Sequence, residues 1–130
     1  MYSLNFSATA IFEKIIALGK LKFENSGGTF MAVSFECIQE FNEEAKIYSM
    51  AHYYEQNGDL MADPEMTFLK YGREIFPLSY RLDGLGIDDV AAKIFFENEK
   101  LKGSVNLKKQ KELKFFAQMW LKNIKQQQEL

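Results

Sequence analysis

The sequence is poor in the residues that cross-link or interrupt a chain. Among 130 residues it has one cysteine, Cys37, two prolines and one histidine, His52. A single cysteine excludes an intramolecular disulfide and a cysteine-rich zinc site. The scarcity of proline and the lack of any low-complexity run argue against a disordered chain. No apolar run reaches the length of a transmembrane helix, so we expect a cytoplasmic protein.

Apolar and aromatic residues are abundant instead. The hydrophobic fraction is 47% and the aromatic fraction 15%. A chain of this length typically forms one domain and buries roughly two-thirds of the surface that its unfolded form exposes. We therefore expect a single α+β domain over residues 1–130. Cys37 lies in the apolar run TFMAVSFECI and is predicted to be buried in its core.

Charge is distributed unevenly along the chain. Residues 1–99 contain 8 Lys and Arg against 16 Asp and Glu, a charge of −8. Residues 100–130 contain 8 Lys and 2 Glu, a charge of +6. A basic C-terminal part of this kind can meet nucleic acid, an acidic partner or the acidic part of its own chain.

Apolar periodicity predicts three helices. Residues 8–21 carry Ile and Leu at helical spacing. A second helix is predicted to begin at Asp88 or Asp89 and to end at about Glu99. A Lys-rich helix is predicted over about 105–127 from a continuous apolar stripe. That stripe consists of Leu113, Phe116, Ala117, Trp120, Leu121 and Ile124.

Four segments predict β-strands, because they are rich in β-branched and aromatic residues between turn signals. These segments are 29–41, 46–56, 66–71 and 75–82. Asn57-Gly58 is the strongest hairpin signal among the turns, because both residue types tolerate a positive φ. The expected fold class is therefore α+β: a four-stranded antiparallel meander with an N-terminal helix and two C-terminal helices packed on one face.

The segment HYYEQNGDLMADPEM, His52–Met66, combines a histidine, two tyrosines, four carboxylates and the Asn-Gly turn. It resembles the signature of a small family of domains of unknown function found in proteins of plasmids, conjugative elements and phages. The upstream FMAVSFECI and the downstream FPLSYRLDGLGI resemble the strands that flank the signature. The resemblance covers about residues 29–90. It implies a mobile-element protein of the bacterial cytoplasm and implies no activity and no catalytic residue.

Two kinds of chemistry are conceivable at this segment. One imidazole and four carboxylates would suit a mixed nitrogen and oxygen metal site, supplied by His52, Glu55, Asp59, Asp63 and Glu65. On a strand, however, His52 and Glu55 point to opposite faces. His52 near carboxylates is also a candidate acid–base group, but no nucleophile motif, P-loop or GxGxxG motif accompanies it. We therefore expect no catalytic residue, no metal ligand and no cofactor.

A binding surface or a purely structural hairpin are the other two interpretations. Aromatic residues and methionine surrounded by carboxylates are typical of surfaces that bind basic proteins. The candidate binding residues are His52, Tyr53, Tyr54, Glu55, Asn57, Asp59, Met61, Asp63 and Glu65. In the structural alternative, the same carboxylates accept from backbone N–H groups of the turns.

The Lys-rich helix offers a separate hypothesis, contact with nucleic acid phosphates. The residues for this alternative are Lys108, Lys109, Lys111 and Lys114. The helix lacks Arg, the usual reader of bases. The same helix is also a candidate dimerisation element, with Phe115 and Trp120 as exposed anchors, so the chain is expected to be a monomer or a homodimer.

The prediction from the sequence is therefore a non-enzymatic accessory protein of a bacterial mobile element, acting as a protein-binding module. One form of this function is inhibition of a host defence complex. The first alternative is a nucleic-acid-binding protein that uses the C-terminal lysines. The second is a metal-dependent enzyme at the hairpin between His52 and Glu65. No membrane partner is expected.

Overall fold

The fold consists of eight strands and two α-helices, and the computed structural model describes residues 1–130. The helices are α1 (Phe6–Leu18) and α2 (Leu107–Gln127). The strands are β1 (Lys22–Phe23), β2 (Val33–Glu40), β3 (Ala45–Gln56), β4 (Asp59–Tyr71), β5 (Glu74–Leu82), β6 (Ile87–Val90), β7 (Ala92–Glu97) and β8 (Lys100–Val105). One turn of 3₁₀ helix, Asp83–Leu85, joins β5 to β6. Neither helix is long and apolar enough to cross a membrane.

Strands β1 to β6 form one antiparallel sheet in chain order, and β7 and β8 form a separate two-stranded sheet. Short turns join the successive strands from β2 to β6, as antiparallel neighbours allow, and a longer loop over residues 24–32 joins β1 to β2. At the β3–β4 turn Asn57 and Gly58 have φ values of 53° and 84°, the left-handed conformation that a tight hairpin turn requires.

Both helices pack on one face of the six-stranded sheet, the inner face. The core contains 19 buried residues from the helices and from alternate positions of the strands. The ring of Phe12 in α1 lies edge-on to those of Phe35, Tyr48 and Phe68, at centroid distances of 5.0–5.8 Å. Such edge-to-face pairs add about 0.5–1.5 kcal/mol beyond the burial of area. The inner face is therefore closed to solvent by α1 and α2.

The opposite, outer face is covered over only part of its area. The β7–β8 hairpin packs there on a small apolar cluster formed by Ile47, Leu69, Leu78 and Ala92. The remaining outer face carries mostly polar side chains. Two rows of paired residues cross it, from Ser34 through Ala51 and Glu65 to Arg81, and from Glu36 through Ser49 and Thr67 to Ser79.

The predicted four-stranded meander with two C-terminal helices is wrong, although the class α+β is confirmed. The segment from Asp88 to Glu99 is not a helix but the end of β6, all of β7 and the start of a turn. In β7 exposure alternates from one residue to the next, with Ala92 buried and Phe95 49% exposed. Val90, Ile94 and Phe95 fit a helical stripe by spacing, but Asn98 and Glu99 have positive φ and turn the chain back.

Two further strands lie where none was predicted. β8, KLKGSV, has too few apolar residues to show a strand pattern and exists because it pairs with β7. β1 has only two residues and pairs with the start of β2. Cys37 is exposed rather than buried, because the core covers β2 only as far as Phe35 and every residue of the strand after Phe35 is exposed.

Candidate functional site

The β3–β4 hairpin projects past the rest of the sheet. Strand β2 pairs with β3 only as far as Ala51, and β5 pairs with β4 only from Glu65 onward. Between these points and the turn, β3 and β4 pair only with each other, from Tyr53↔Ala62 to Gln56↔Asp59. We call residues 52–64 the protruding hairpin. Near the turn, its outer edges have no strand neighbour.

An irregularity marks the base of the protruding hairpin. The register shifts between Ala51 and Tyr53, where one residue of β3 lies opposite the two residues Asp63 and Pro64 of β4. The Asp63–Pro64 peptide bond is cis. A bulge of this kind bends the strand and redirects the side chains that follow it.

His52 lies on the inner face and not on the surface of the hairpin. It is 7% exposed, its Nδ1 is 2.9 Å from the carbonyl oxygen of Ala32, and its ring is edge-on to that of Trp120 at 5.5 Å. A carbonyl accepts, so Nδ1 carries the proton of this hydrogen bond. His52 therefore serves as a satisfied core residue beneath α2.

Glu65, on the outer face, holds a polar network together. Its Oε2 accepts from the hydroxyl of Tyr53 at 2.8 Å and from Ser49 at 3.2 Å. Its Oε1 is 3.6 Å from a guanidinium nitrogen of Arg81. Burial, followed by the hydrogen bond to Glu65 and the negative charge of Glu65, raises the pKa of Tyr53 to about 12. The Tyr53 hydroxyl is therefore a hydrogen-bond donor and not a base near neutral pH.

The network continues to the turn after β5. Arg81 Nε is 3.1 Å from Oδ1 of Asp83, and Oδ2 of Asp83 accepts from the backbone N–H of Ala62 at 2.7 Å. The hydroxyl of Tyr54 also reaches this turn, since a Cβ added to Gly84 would lie 2.9 Å from it. These contacts fix the base of the protruding hairpin against the sheet, although its tip has no sheet neighbour.

A groove of about 410 Å³ runs between the protruding hairpin and the sheet edge. It is lined by Lys22, Ala32, Ser34, Tyr53, Tyr54, Glu55 and Leu60. A smaller groove of about 160 Å³ adjoins it and shares Ser34 and Tyr53. Leu60 is 62% exposed at its rim, and Leu21, in the wall of the smaller groove, is 71% exposed. Both apolar side chains are thus available to a partner.

Carboxylates outnumber basic groups in and around the two grooves, since Glu55 lines the larger groove, Glu36 lines the smaller one and Asp59 lies exposed at the hairpin tip. None of the carboxylates of Glu36, Glu55, Asp59 and Asp63 has an ion-pair partner within the chain, whereas Glu65 is paired with Arg81. Lys22 is the only basic residue in the lining of either groove. This part of the surface therefore favours a positively charged ligand.

The predicted site residues fall into four groups. Tyr53, Tyr54 and Glu55 line the groove, and Asn57 and Asp59 lie exposed at the tip. Met61, Asp63 and Glu65 are half-buried at the base, and His52 is separated from them by the sheet. No group of three or more His, Cys, Asp or Glu side chains lies close enough together to hold a metal ion. The metal interpretation fails on this geometry, since His52 and Glu65 occupy opposite faces.

Sequence reasoning missed Leu60, Lys22, Arg81 and Asp83 as members of the site. Leu60 is part of the signature segment, but only the register shows that its side chain is exposed. Arg81 lies near the end of the predicted strand 75–82, and Asp83 follows that strand. Their tie to Glu65 and Ala62 depends on β4–β5 pairing.

The lysines of the nucleic-acid alternative are mostly engaged within the chain. Lys109 pairs with Asp89 at 3.3 Å, and the ammonium groups of Lys111 and Lys114 lie 5.6 and 6.0 Å from the ring centre of Tyr2. Lys108 is exposed. Three of the four thus have partners within the chain.

Fold and site together define an α+β domain that presents a rigidly anchored, acidic hairpin. Comparison with known protein families assigns the chain to one of them. The chain belongs to the family described as Domain of unknown function (DUF6908), whose model matches residues 7–130. No curated protein and no solved structure matches the chain significantly.

Proposed function

We propose that this chain is a protein-binding module, and that the protruding hairpin recognises a basic segment of its partner. The observation that carries the proposal is the exposure of Leu60, 62%, on a hairpin that projects beyond the sheet among carboxylates without partners. A projecting apolar side chain within an acidic rim is the arrangement that an interface core and its polar surroundings require.

The chemistry of the groove specifies the partner further. Leu60 and the rings of Tyr53 and Tyr54 offer apolar and aromatic contact area, and aromatic residues are frequent among the residues that dominate binding energy. Glu55 and Asp59 provide unpaired negative charge beside them. A partner segment with Lys or Arg next to an apolar side chain fits both features, and its charge would speed association.

The anchoring of the hairpin supports a recognition role. Tyr53, Arg81 and Asp83 connect its base to the sheet through hydrogen bonds and ion pairs of 2.7–3.6 Å. A surface held in its binding conformation loses less conformational entropy on association than a mobile loop. Little movement of the hairpin backbone is therefore expected on binding.

The setting of this function is also part of the proposal. The resemblance of the hairpin segment to proteins of plasmids, conjugative elements and phages supports a non-enzymatic accessory protein of a bacterial mobile element, acting in the cytoplasm. The partner would then be a conjugation component or a host protein. Inhibition of a host defence complex is one form of such binding, and fold alone does not select among them.

Binding of nucleic acid through α2 has less support. Contact with phosphates needs several unpaired cations on one surface. Lys109, Lys111 and Lys114 have partners within the chain, and the acidic hairpin would repel phosphate.

Photo-crosslinking in lysate of a bacterial host tests the proposal. A photoreactive amino acid is placed at Leu60, and the lysate is treated with nuclease. The hairpin variant Glu55→Lys replaces a carboxylate beside the probe. The matched control Glu43→Lys makes the same charge change at an exposed residue of the β2–β3 loop. Crosslinked peptides are identified by mass spectrometry, and the partner is then purified for titration.

The expected result is one crosslinked protein, contacted through a Lys- or Arg-containing segment, whose affinity falls with salt and at least about tenfold with Glu55→Lys but not with Glu43→Lys. Equal binding by both variants, or the absence of a crosslinked protein in the nuclease-treated lysate, would refute the hairpin as the recognition surface.

A further inference from the structure

Helix α2 carries a second row of side chains on the side that faces away from the core. This outer stripe consists of Lys108, Glu112, Phe115, Met119, Lys122 and Gln126. All six are exposed, with Phe115 at 56% and Met119 at 54%. The core-facing side of the same helix is formed by other residues, among them Leu113, Trp120 and Ile124. Trp120, expected as an exposed anchor, is buried.

The spacing of the outer stripe is that of a coiled-coil seam. Its members are separated alternately by four and three residues, from Lys108 to Gln126. This alternation keeps side chains on one line along a helix and is the spacing of the positions that face a partner helix in a coiled coil. The two central positions, Phe115 and Met119, are apolar, and the outer four are polar or charged.

The charged groups of the outer stripe are unused within the chain. Lys108, Glu112 and Lys122 make no ion pair and no side-chain hydrogen bond. In contrast, Lys109, on a neighbouring face of the helix, pairs with Asp89. Exposed apolar side chains flanked by unpaired charges of both signs form a surface that is complementary to a partner with the opposite order of charges.

We propose that the partner is a second copy of this chain, whose α2 packs antiparallel on the outer stripe. An antiparallel pair centred between Phe115 and Met119 brings each Phe115 opposite the Met119 of the other copy. In the next layers each Glu112 faces the other copy's Lys122, and each Lys108 faces its Gln126. Every layer is complementary: sulfur against an aromatic ring, carboxylate against ammonium, and ammonium against an amide oxygen.

The parallel arrangement is disfavoured by the same residues. It would bring Lys108, Glu112 and Lys122 each opposite the identical residue of the second copy. Like charges in three layers repel, whereas the antiparallel pair has none. The charge pattern of the outer stripe therefore specifies both the occupant and its direction.

Two-fold symmetry doubles each contact, because residue i meets residue j and residue j meets residue i. One more apolar side chain lies nearby, since Phe6 is 90% exposed and follows Asn5, whose N–H donates to Gln118 of α2 at 2.9 Å. A contact made by one helix from each copy is below the area of standard interfaces, so the dimer is expected to be weak and concentration-dependent. It leaves the protruding hairpin free and does not depend on the proposed function.

Sedimentation equilibrium of the full chain tests this dimer by charge reversal, over loading concentrations from roughly 1 µM to 1 mM, the range of weak association. Glu112→Lys places Lys opposite Lys122 in two layers, and Lys122→Glu places Glu opposite Glu112. The double variant with both changes restores opposite charges in the antiparallel pair only. Lys125→Glu, a change of the same charge on an exposed residue off the stripe, is the matched control.

The expected result is a wild-type dimer in this range, at least about tenfold weaker association for each single variant, and recovery in the double variant. Circular dichroism checks that each variant is folded. A wild type that stays monomeric, single variants that associate like the Lys125→Glu control, or a double variant no better than either single one would each overturn the proposal.

Discussion

Tyr53 and Glu65 meet at the point where the protruding hairpin leaves the sheet, with the Tyr53 hydroxyl donating to the Glu65 carboxylate at 2.8 Å. The two residues lie in adjacent strands, since Glu65 pairs with Ala51 and Tyr53 follows Ala51 by two residues, at the register shift that marks the base of the hairpin. Glu65 also faces Arg81. The pair thus couples the conformation of the hairpin to the central strands.

Removing the phenolic hydroxyl tests this coupling. Tyr53→Phe is expected to lower the free energy of unfolding by about 1–2 kcal/mol, because the hydrogen bond has a charged acceptor in a half-buried site. Urea denaturation measures the change. Tyr71→Phe removes the hydroxyl of an exposed tyrosine that makes no hydrogen bond and should leave stability within about 0.5 kcal/mol of wild type. Equal effects of the two substitutions would contradict a structural role of the Tyr53–Glu65 bond.

The same pair predicts a loss of stability at alkaline pH. Burial and Glu65 raise the pKa of Tyr53 from 10.0 to about 12, so the folded state holds this proton more tightly than the unfolded state. The resulting stability is complete below pH 10 and is lost as the pH rises from 10 through 12. Burial also raises the pKa values of Tyr48 and Tyr80, which adds to the effect in the same direction.

Phenolate absorbance gives the measurement. A late titration step near pH 12 is expected in wild type and should be absent from Tyr53→Phe, whose stability should also decline less steeply over this window. If the late step persists unchanged in Tyr53→Phe, then another tyrosine is responsible.

Substitutions at Gly84 and Tyr54 are expected to have coupled effects on the free energy of unfolding. A Cβ at Gly84 would lie 2.9 Å from the Tyr54 hydroxyl, so the ring must shift to accommodate it. Gly84→Ala is expected to lower the free energy of unfolding by about 0.5–1 kcal/mol, since the obstacle is the end of a side chain. In a Tyr54→Phe background the obstacle is gone, and Gly84→Ala should be neutral or stabilising because it restricts the unfolded chain. A double-mutant cycle by urea denaturation measures the coupling, and additive effects would show that the two residues do not touch.

Gly103 is predicted to be far less tolerant. It pairs with Ile94, and a Cβ there would overlap the backbone oxygen of Lys93. A backbone oxygen within a strand cannot move aside as a side chain does. Gly103→Ala should therefore lower the free energy of unfolding by about 2–4 kcal/mol, or detach the β7–β8 hairpin from the outer face.

Ser104→Ala is the matched control for this position, since its side chain is exposed and makes no hydrogen bond. Hydrogen exchange at Ala92 and Ile94 distinguishes local detachment from global unfolding. Wild-type stability of Gly103→Ala would show that the close approach of β8 to β7 is absent in solution.

Local sequence patterns correctly predicted the helices and turns whose structure depends mainly on neighbouring residues. The apolar stripe of α2 gave its buried side, and Asn57-Gly58 gave the tight turn. The segment after Asp88 was mistaken for a helix because a few apolar residues fit both periodicities. The segment forms the strand β7 because it pairs with β8, whose own apolar pattern is too weak to be recognised in the sequence.

The candidate site was likewise predicted only in those features that the local sequence determines. Its tyrosines and carboxylates were recognisable as a cluster in the sequence, but which of them share a face depends on the bulge opposite His52. His52 continues the inner-face alternation of Tyr48 and Met50 and lies in the core, whereas Glu65 pairs with Ala51 on the outer face. The bulge changes the alternation only for the residues of β4 that lie beyond it, toward the turn. The contribution of Arg81 and Asp83 comes from tertiary pairing, which no local period encodes.

Gln110 is a buried polar residue with a structural role that can be isolated. Its Oε1 accepts from the N–H of Tyr2 at 2.8 Å, and its Nε2 donates to the carbonyl oxygens of Tyr2 and Pro77 at 2.7 and 3.3 Å. It thereby fastens the N-terminal segment to α2 and β5. Gln110→Leu has a similar volume but leaves these backbone groups without partners. It should lower the free energy of unfolding by about 1–3 kcal/mol.

Hydrogen exchange measures where this loss occurs. In Gln110→Leu the amide of Tyr2 should exchange faster, and so should that of Leu4, whose N–H donates to the carbonyl of Ile75 at 2.8 Å. Gln127→Leu, a change of the same residue type on the same helix at a side chain without hydrogen bonds, should leave both amides as protected as in wild type. If the two variants exchange alike, the N-terminal segment is held by packing against α2 rather than by Gln110.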